Sequence, residues 1–513
     1  MFSCFWEWFY LGFSSYKMVR LINLLHIFFL INSYGFSQKL YIPISDPEVL
    51  KIYKSGEKSS DGEYVSKDKD GNVRVKGRFN KITPIGKWYI FFKNGKLMAY
   101  YNYNERGELD GIFVEYYDNS QLKISGYFKE NLQTKLWQTF YKDGIEETAG
   151  EMLNGKRYKT WLYYHPNGKI KEVSNYNING RLDGDFISYD KFGTPISKAF
   201  YTNNKIDGEY YEFYFNEKIA LKGYYNLGLK DSVWTEFGPY GRKSFEKRYR
   251  NDLPHSKWVY YYENNGSVQR EEYYINGIKN GNFKEFYPSE RIAKSYNFKN
   301  NLLNGEYKEY LPYGYLSVKG EFLNDLKTGL WETYNEDGEI FSIGRYTNDY
   351  QNGDWKYFHK SGNISSEGKF INGFESGKWI SYFEGGELDE IGEYVNGLKD
   401  GIWGRFNVNG EVKQEEIYNL GKLINVSEFK LINGQIISNS TFKDGNGELI
   451  DYYESGNIFS KSNYLNGELD GFFVEFHSNG KISQRGKYRK NEKVGSWYQY
   501  NRRGSLVNEK SYD

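Results

Sequence analysis

Residues 329–348 read GLWETYNEDGEIFSIGRYTN, and this sequence returns in similar form further along the chain. Residues 353–372 read GDWKYFHKSGNISSEGKFIN, and residues 377–396 read GKWISYFEGGELDEIGEYVN. Each of these stretches begins 24 residues after the one before it. A fixed period of this length is the signature of a repeat protein, in which each unit is one supersecondary element stacked on its neighbours.

The period extends over nearly the whole chain when one position of the unit is followed. We take as the anchor the residue two places after the first glycine of each unit. Nineteen anchors result, seventeen of them aromatic, with steps of 24 or 25 residues and a single step of 22. The anchors that are not tryptophan are Tyr64, Phe113, Phe186, Tyr210, Phe283, Tyr307, Ser427, Leu449 and Phe473. The predicted structural anchors of the repeats are the ten tryptophans: Trp88, Trp137, Trp161, Trp234, Trp258, Trp331, Trp355, Trp379, Trp403 and Trp497.

Other positions recur at fixed distances from the anchor and predict one β-hairpin per unit. An aromatic residue follows at +3, glycine at +7, a β-branched residue or leucine at +9, often glycine at +13, and tyrosine or phenylalanine at +15. The glycine at +7 supplies the positive φ of a hairpin turn, and a second turn with motifs such as KDG or QNG leads to the next hairpin. In the unit of Trp331 these positions are Tyr334, Gly338, Ile340, Gly344 and Tyr346.

The glycine at +13 lies inside a predicted strand, where glycine costs stability and needs a reason. It shares its face with the residues at +9 and +15, because side chains alternate between the two faces of a strand. We therefore predict that it opens a slot for a neighbouring indole. The anchor and its +3 partner differ in parity, so they face opposite sides unless a bulge intervenes, and the sequence leaves both arrangements open.

These hairpins predict an all-β fold, since a lone hairpin is unstable in water and stacked hairpins bury one another's aromatics. The expected architecture is an elongated, twisted, single-layer array of antiparallel β-hairpins with about nineteen repeats. Composition agrees, with 52 Tyr, 36 Phe and 55 Gly against 4 Met in 513 residues. Tyrosine and phenylalanine favour strands, and glycine favours turns.

The amino-terminal sequence predicts a processing signal. Residues 18–38 are MVRLINLLHIFFLINSYGFSQ, with a positive start at Arg20 and an apolar run of eleven residues from Leu21. Such a run is too short to span a bilayer and suits a secretory signal, with cleavage before Gln38. A buried strand or a short anchor is the alternative. We predict translation from Met18 and export to the periplasm, the cell surface or the medium.

This interpretation sets the predicted domain organisation. The only cysteine, Cys4, lies in the upstream extension, so the mature chain has no thiol. Two anchors near the end, Ser427 and Leu449, are not aromatic and are separated by the short step of 22 residues. The expected segments are residues 1–37 as extension and signal peptide, 38–60 as a lead-in, and 61–513 as the repeat array, with an irregular unit near 420–450.

The pattern NGxxxGxWxxYxxxGxIxxxGxYxNG resembles the bacterial variant of the MORN repeat, the membrane occupation and recognition nexus, over residues 61–512. It is the repeat type of YwqK-like antitoxin-component proteins. The resemblance implies stacked β-hairpins and a binding role. It also implies antitoxin, scaffold or lipid-associated functions for members of the wider group, whereas the predicted export argues against a cytoplasmic antitoxin.

Histidine and aspartate are the candidate chemical groups, and both are better explained by the repeat. His165, His359 and His477 occupy the position four after the anchor, where other units have tyrosine or phenylalanine. We interpret them as polar aromatics at the rim of the stack. Aspartate recurs before glycine once per hairpin, which is too sparse for the six to eight oxygens of a calcium site and is expected of turns. DKDGN at Asp68 is only half of a calcium loop.

We therefore predict no catalytic residue, no metal site and no cofactor. The net charge is +1, from 68 basic and 67 acidic residues, and gives no electrostatic basis for nucleic-acid binding. The expected function is that of a non-enzymatic, exported scaffold that binds a macromolecular partner along its sheet. A protein partner is favoured, with a glycan or a membrane surface as alternatives. An antitoxin or immunity-like role is the second hypothesis, and an enzyme acting on polysaccharide is the third.

Overall fold

The computed structural model of the chain describes residues 61–81, 83–437 and 440–513. In these ranges the chain forms strands and turns and no helix, and so no helix there is long and apolar enough to cross a membrane. The described part of the chain divides into two compact units, with the boundary between Gly168 and Lys169. The predicted signal peptide, its cleavage site and the lead-in to residue 60 lie outside the described residues.

In the first unit, nine strands pair antiparallel in the order in which they occur along the chain. They are β1 (Gly62–Lys67), β2 (Val73–Asn80), β3 (Thr83–Phe91), β4 (Leu97–Tyr103), β5 (Gly111–Tyr116), β6 (Leu122–Lys129), β7 (Leu132–Phe140), β8 (Glu146–Leu153) and β9 (Lys156–Tyr164).

In the second unit, strands β10 to β33 continue the same antiparallel, sequential pairing. The first twelve are β10 (Ile170–Tyr176), β11 (Leu182–Tyr189), β12 (Pro195–Thr202), β13 (Lys205–Phe213), β14 (Ile219–Asn226), β15 (Leu229–Phe237), β16 (Lys243–Arg250), β17 (Leu253–Pro254), β18 (Ser256–Tyr261), β19 (Val268–Ile275), β20 (Ile278–Lys279) and β21 (Gly281–Phe286). The next twelve are β22 (Ile292–Lys299), β23 (Leu302–Tyr310), β24 (Leu316–Leu323), β25 (Leu326–Tyr334), β26 (Ile340–Thr347), β27 (Tyr350–Phe358), β28 (Ile364–Ile371), β29 (Phe374–Tyr382), β30 (Leu388–Val395), β31 (Leu398–Phe406), β32 (Val412–Asn419) and β33 (Lys422–Val426).

The regular pairing is interrupted after β33. Two very short strands pair only with each other, and six further strands then form a separate sequential sheet. A small core of Phe429, Leu431, Ile450 and Tyr452 fills the interruption. The strands are β34 (Phe429–Lys430), β35 (Ile436–Ile437), β36 (Gly447–Tyr452), β37 (Ile458–Leu465), β38 (Glu468–Phe476), β39 (Ile482–Arg489), β40 (Glu492–Tyr500) and β41 (Leu506–Tyr512).

The turns follow from the residues that the sequence places in them. Between β25 and β26 the backbone amide of Glu339 and that of Asp337 both donate to the side-chain oxygen of Asn335, and Gly338 takes a φ of 85°. At the second type of turn, between β26 and β27, Asn348 and Asp349 both have positive φ, at 50° and 68°. Two consecutive residues of this kind form the tight turn whose twist matches that of the flanking strands.

The strand register shows whether the anchor and its +3 partner lie on the same face of the sheet, which the sequence left open. In the β25–β26 hairpin Trp331 pairs with Gly344, and the bulge lies on the second strand, where the register shifts beside Tyr334. The Tyr334 hydroxyl donates to Glu332, which lies two residues earlier and thus on the same side of the strand. Anchor and +3 partner therefore face opposite sides.

A second bulge precedes the anchor in most units of the regular array. Between β26 and β27, Trp355 pairs with Gly344, but Gln351 pairs with Tyr346, so three residues of β27 face Arg345 alone. Gly353 lies in this bulge with a φ of 83°, which explains why most units have glycine at this position. The prediction of an all-β stack of antiparallel hairpins is confirmed in both units.

Candidate interaction surfaces

The predicted tryptophan anchors lie in the interior. Nine of the ten are buried, with exposed fractions between 0% and 9%, and Trp379 is half-buried. In nine cases the indole lies against the glycine eleven residues earlier, on the preceding strand, as the slot hypothesis predicts. The glycines are Gly77, Gly126, Gly150, Gly223, Gly320, Gly344, Gly368, Gly392 and Gly486.

Trp258 is the exception, because Lys247 stands where the other nine tryptophan units have glycine. The Lys247 ammonium lies 5.0 Å from the centroid of the Trp258 ring and 4.1 Å from that of Phe245. Desolvation lowers the pKa of Lys247, and the nearby carboxylates of Glu236 and Glu272 oppose this shift. In this unit the indole therefore lies beside the side chain of Lys247 instead of against a glycine.

From Trp331 to Trp403 the +15 aromatics join the indoles into a continuous ladder. Phe322 meets Trp331 edge-on at 5.2 Å between ring centroids, Tyr346 meets Trp331 at 5.8 Å, and Tyr346 also meets Trp355 at 5.3 Å. Edge-to-face contacts at these distances are the favoured geometry of aromatic pairs. The ladder is therefore core, and a partner would have to bind other residues.

Lysines cover the ladder on its solvent side. The residue four before the anchor is lysine in several units, and its ammonium lies 4.0 to 4.5 Å from the indole centroid. Cation–π attraction at such partly desolvated sites contributes about 0.5–2 kcal/mol. The lysines, each paired with the tryptophan four residues later, are Lys230, Lys327, Lys399 and Lys493.

Two of the rim histidines lie at the interfaces between repeats. His359 Nε2 is 2.8 Å from the carbonyl oxygen of Tyr382, and His477 Nε2 is 2.9 Å from that of Tyr500. Tyr141 makes the same contact in its own unit, because its hydroxyl donates to the carbonyl of Tyr164 at 2.8 Å. Histidine and tyrosine at this position thus make the same hydrogen bond, which joins the first turn of one repeat to a strand of the next repeat.

The aspartates before glycine also bind backbone. Asp207 accepts a hydrogen bond from the amide of Leu227, and Asp400 accepts one from the amide of Leu420. Asp68 accepts from the amides of Asp70 and Asn72, the pattern of an Asx turn. In the parts of the chain that the structure describes, no three His, Cys, Asp or Glu side chains form a group that could hold a metal ion.

Sequence reasoning missed the residue six before the anchor. In seven units this second-turn residue is Asp or Asn, and its side chain accepts a hydrogen bond from a backbone amide of the preceding repeat. Asp349 accepts from Lys327, and Asp325 accepts from Leu303, both at 2.6 Å. The sequence shows Asn or Asp at this position in seven of the nineteen units and glycine in nine, and all three residue types are expected in a turn, so the pattern did not indicate a contact between repeats.

Two exposed apolar rows remain as candidate binding surfaces. The first, which we call the first-turn row, consists of Phe192, Phe215 and Tyr240 in three consecutive first turns, and these side chains are 68%, 75% and 89% exposed. The second, which we call the second-turn stripe, occupies the position five before the anchor in eight consecutive repeats and is 39% to 59% exposed. The stripe consists of Leu229, Leu253, Ile278, Leu302, Leu326, Tyr350, Phe374 and Leu398.

The family comparison agrees with this geometry. A model described as the MORN repeat variant matches seven times, each time over a segment of about one repeat. The chain is a MORN-repeat variant protein. The matches to this MORN-repeat protein cover residues 84–105, 109–130, 157–177, 327–348, 351–372, 375–396 and 446–466.

Other comparisons add no functional detail for this MORN-repeat protein. No curated protein matches it. Among solved structures, it is similar to the crystal structure of TcdB2-TccC3-Cdc42, with 11% identity and a TM-score of 0.12 over 97% of this chain and 33% of that one. It is also similar to the Photorhabdus luminescens Tc holotoxin pore with the TccC3-D651A mutation, with 11% identity and a TM-score of 0.09 over 85% and 35% of the two chains. The chain thus spans about a third of the length of these structures, and likenesses this weak carry no argument.

Proposed function

We propose that this MORN-repeat protein is an exported, non-enzymatic scaffold that binds a protein partner through its first-turn row. The observation that supports the proposal is the exposure of Phe192, Phe215 and Tyr240 at the tips of three consecutive hairpins. Hairpin tips usually carry small or polar residues, and the next first turn along the chain, that of the Trp258 unit, carries Asn264 and Asn265 instead. Clustered exposed aromatics are typical of interaction sites.

The geometry of the row favours a protein as its partner. One aromatic stands on each hairpin, so neighbours in the row are about 10 Å apart, twice the strand spacing. Such spacing suits separate side-chain anchors that enter separate pockets, the usual organisation of binding hot spots. The near-zero net charge of the chain, +1, offers no attraction for nucleic acid.

The role of the row is tested by site-specific photo-cross-linking in the native cell. A benzophenone amino acid at Phe215 is expected to cross-link a protein, and the yield should fall when Phe192 and Tyr240 are both changed to Ser. The matched control places the same amino acid at Phe472, which is 63% exposed but lies outside the row. Equal cross-linking from Phe215 and Phe472 would contradict the proposal.

The same cells identify the class of partner. A captured toxin encoded beside this chain would replace the scaffold function with the antitoxin alternative. Loss of the cross-link on treatment with glycosidase or lipase would replace the protein partner with a glycan or a lipid surface. In either case the first-turn row remains the binding site, and only the nature of the partner changes.

Export is tested independently by amino-terminal sequencing of the protein recovered from cell fractions. The expected mature chain begins at Gln38 and lies outside the cytoplasm. A protein that retains residues before Met18 and remains in the cytoplasm would overturn the export part of the proposal, while the cross-linking result would stand.

A further inference from the structure

The second-turn stripe is a continuous apolar surface on one side of the second unit. Cross-strand pairing extends it, because Leu326 pairs with Leu323, and Ile278 pairs with Ile275, both of which are themselves exposed. Phe374 and Ile371 form a third such pair. The residues opposite the stripe therefore widen it into a band at these repeats.

The band faces away from the indole ladder. Lys327 follows Leu326 directly and stacks over the ring of Trp331. Successive residues of a strand point to opposite faces of the sheet, so Leu326 lies on the other face. Several stripe side chains lie partly against the glycine of the next second turn, as Tyr350 does against Gly373 and Phe374 against Gly397, and the remaining part is exposed to solvent.

The exposed area is larger than a soluble monomer usually shows. The eight half-exposed side chains and their apolar partners present roughly 700–900 Å² of apolar surface, against about 300–600 Å² for the largest patch of a typical monomer. A standard-sized protein interface takes about 800 Å² from each partner. The band is therefore large enough to form one half of a stable dimer.

The period of the stripe decides between possible partners. One repeat advances by about 9.6 Å, two strand spacings. A helix with apolar residues every seven positions advances by about 10.5 Å, so over seven steps the two would lose register by about 6 Å. A second copy of this chain has the same period and stays in register over all eight repeats. The balanced charge of the chain, +1 from 68 basic and 67 acidic residues, places no strong repulsion between two copies.

We infer that the second-turn stripe is a homotypic interface, in which two copies of this chain pack their stripes together in antiparallel, two-fold symmetric fashion. Symmetry then fixes the pairing, because residue i of one copy contacts residue j of the other, and the reverse holds. The two-fold axis passes between the fourth and fifth members, Leu302 and Leu326. Consequently Ile278 of each copy lies opposite Tyr350 of the other.

Oligomeric state in solution tests this interface directly. The full chain is expected to be a dimer by sedimentation velocity, and the triple variant Leu326→Glu, Tyr350→Glu, Phe374→Glu is expected to be a monomer with unchanged circular dichroism. The matched control is the triple variant Phe192→Glu, Phe215→Glu, Tyr240→Glu in the first-turn row, which should remain a dimer. A monomeric wild-type chain, or a dimeric stripe variant, would overturn the inference.

A disulfide trap tests the pairing even if the charged variant fails to fold. In a Cys4→Ser background, Ile278→Cys combined with Tyr350→Cys should form covalent dimers on mild oxidation, whereas Ile278→Cys combined with Phe374→Cys should not. Equal yields from both pairs would exclude the antiparallel register. If the wild-type chain is a monomer that instead binds vesicles of neutral lipid through the stripe, the occupant is a membrane and the homotypic interface is wrong.

Discussion

The indole of Trp355 occupies the space in which a side chain of Gly344 would begin. A Cβ added to Gly344 would overlap the ring atoms Cδ2, Cε2 and Cγ of Trp355, and these atoms belong to a rigid ring that cannot swing away as a flexible chain end would. Gly344 is also the cross-strand partner of Trp331 in its own hairpin. One missing side chain thus allows consecutive hairpins to stack.

This relationship predicts that Gly344→Ala destabilises the protein more than an alanine usually does in a strand. The added methyl group forces the Trp355 ring or the strand to shift, and overpacking of this kind costs about 1–3 kcal/mol. The free energy of unfolding in urea is the measurement. Gly238→Ala is the control, since its added Cβ would have only one neighbour within 4 Å, at 3.8 Å, and its backbone has no positive φ. Equal losses for the two variants would show that the slot has no energetic role.

Truncating the indole itself should cost more. Trp355 is 4% exposed, so Trp355→Ala leaves a large cavity and is expected to lower the free energy of unfolding by about 3–5 kcal/mol. Trp355→Phe should be milder, because Phe283 fills the same position in another unit. Hydrogen exchange should place the damage within about one repeat on either side. If Trp355→Ala instead causes the whole chain to unfold in one step, the stability of a repeat does not depend on its nearest neighbours alone.

How far the sequence predicts this fold depends on periodicity. The hairpin, its two turns and the glycine slot are all predicted from positions that recur many times. An unusual residue in one unit therefore does not change the prediction. The bulge at Gly353 was not predicted, since a single glycine at that place reads as a turn residue rather than as an extra residue in a strand. The strand register was also needed to show that Trp331 and Tyr334 lie on opposite faces.

The candidate surfaces were harder to predict than the core. The sequence shows that Tyr and Phe are abundant, but not which of them the stack leaves exposed. Phe370 is buried because it meets Trp379 edge-on, whereas Phe374, only four residues later, is 56% exposed. Exposure in this fold depends on the register of neighbouring repeats, which a single sequence does not contain.

His359 should be replaceable by tyrosine but not by phenylalanine. The ring nitrogen of His359 is hydrogen-bonded to the carbonyl of Tyr382, and Tyr141 makes the equivalent bond with its hydroxyl. We expect His359→Tyr to be neutral, and His359→Phe to lower the free energy of unfolding by about 0.5–1.5 kcal/mol, the net contribution of one hydrogen bond. Urea unfolding compares the variants. If the two variants are equally stable, the interaction between repeats does not depend on this bond.

The buried tyrosines predict that the free energy of unfolding decreases at alkaline pH. Desolvation, with a smaller contribution from the carboxylate of Glu172, raises the pKa of Tyr201 to about 12. Desolvation and the charge of Glu212 likewise raise the pKa of Tyr225 to about 12. In the unfolded chain these groups ionise near pH 10, so the unfolded state loses protons first as the pH rises. Their stabilising effect is present below about pH 10 and decreases as the pH approaches 12.

The free energy of unfolding, measured in urea between pH 8 and about 12, is the test of this titration. We expect a plateau followed by a steep decline, and Tyr201→Phe should make the decline shallower because one ionising group is removed. Tyr313→Phe is the control, since Tyr313 is 79% exposed. A decline that is equally steep in both variants would show that the buried phenols do not carry the effect.

The interruption after β33 should be the first part of the second unit to open. Strand pairing there is reduced to two residues on each of β34 and β35, so the described residues 427–437 and 440–446 lack the ladder of backbone hydrogen bonds that joins long strands elsewhere. The small core around Phe429 and the ion pair of Arg405 with Asp451, at 3.3 Å, hold the segment to its neighbours. In a repeat array each interface contributes separately, so a weak interface lowers stability locally. We therefore expect the amides of residues 427–437 and 440–446 to exchange faster than those of β25 to β28, and Phe429→Ala to accelerate only the former. Uniform exchange rates across both segments would mean that the small core fully replaces the missing strand pairs.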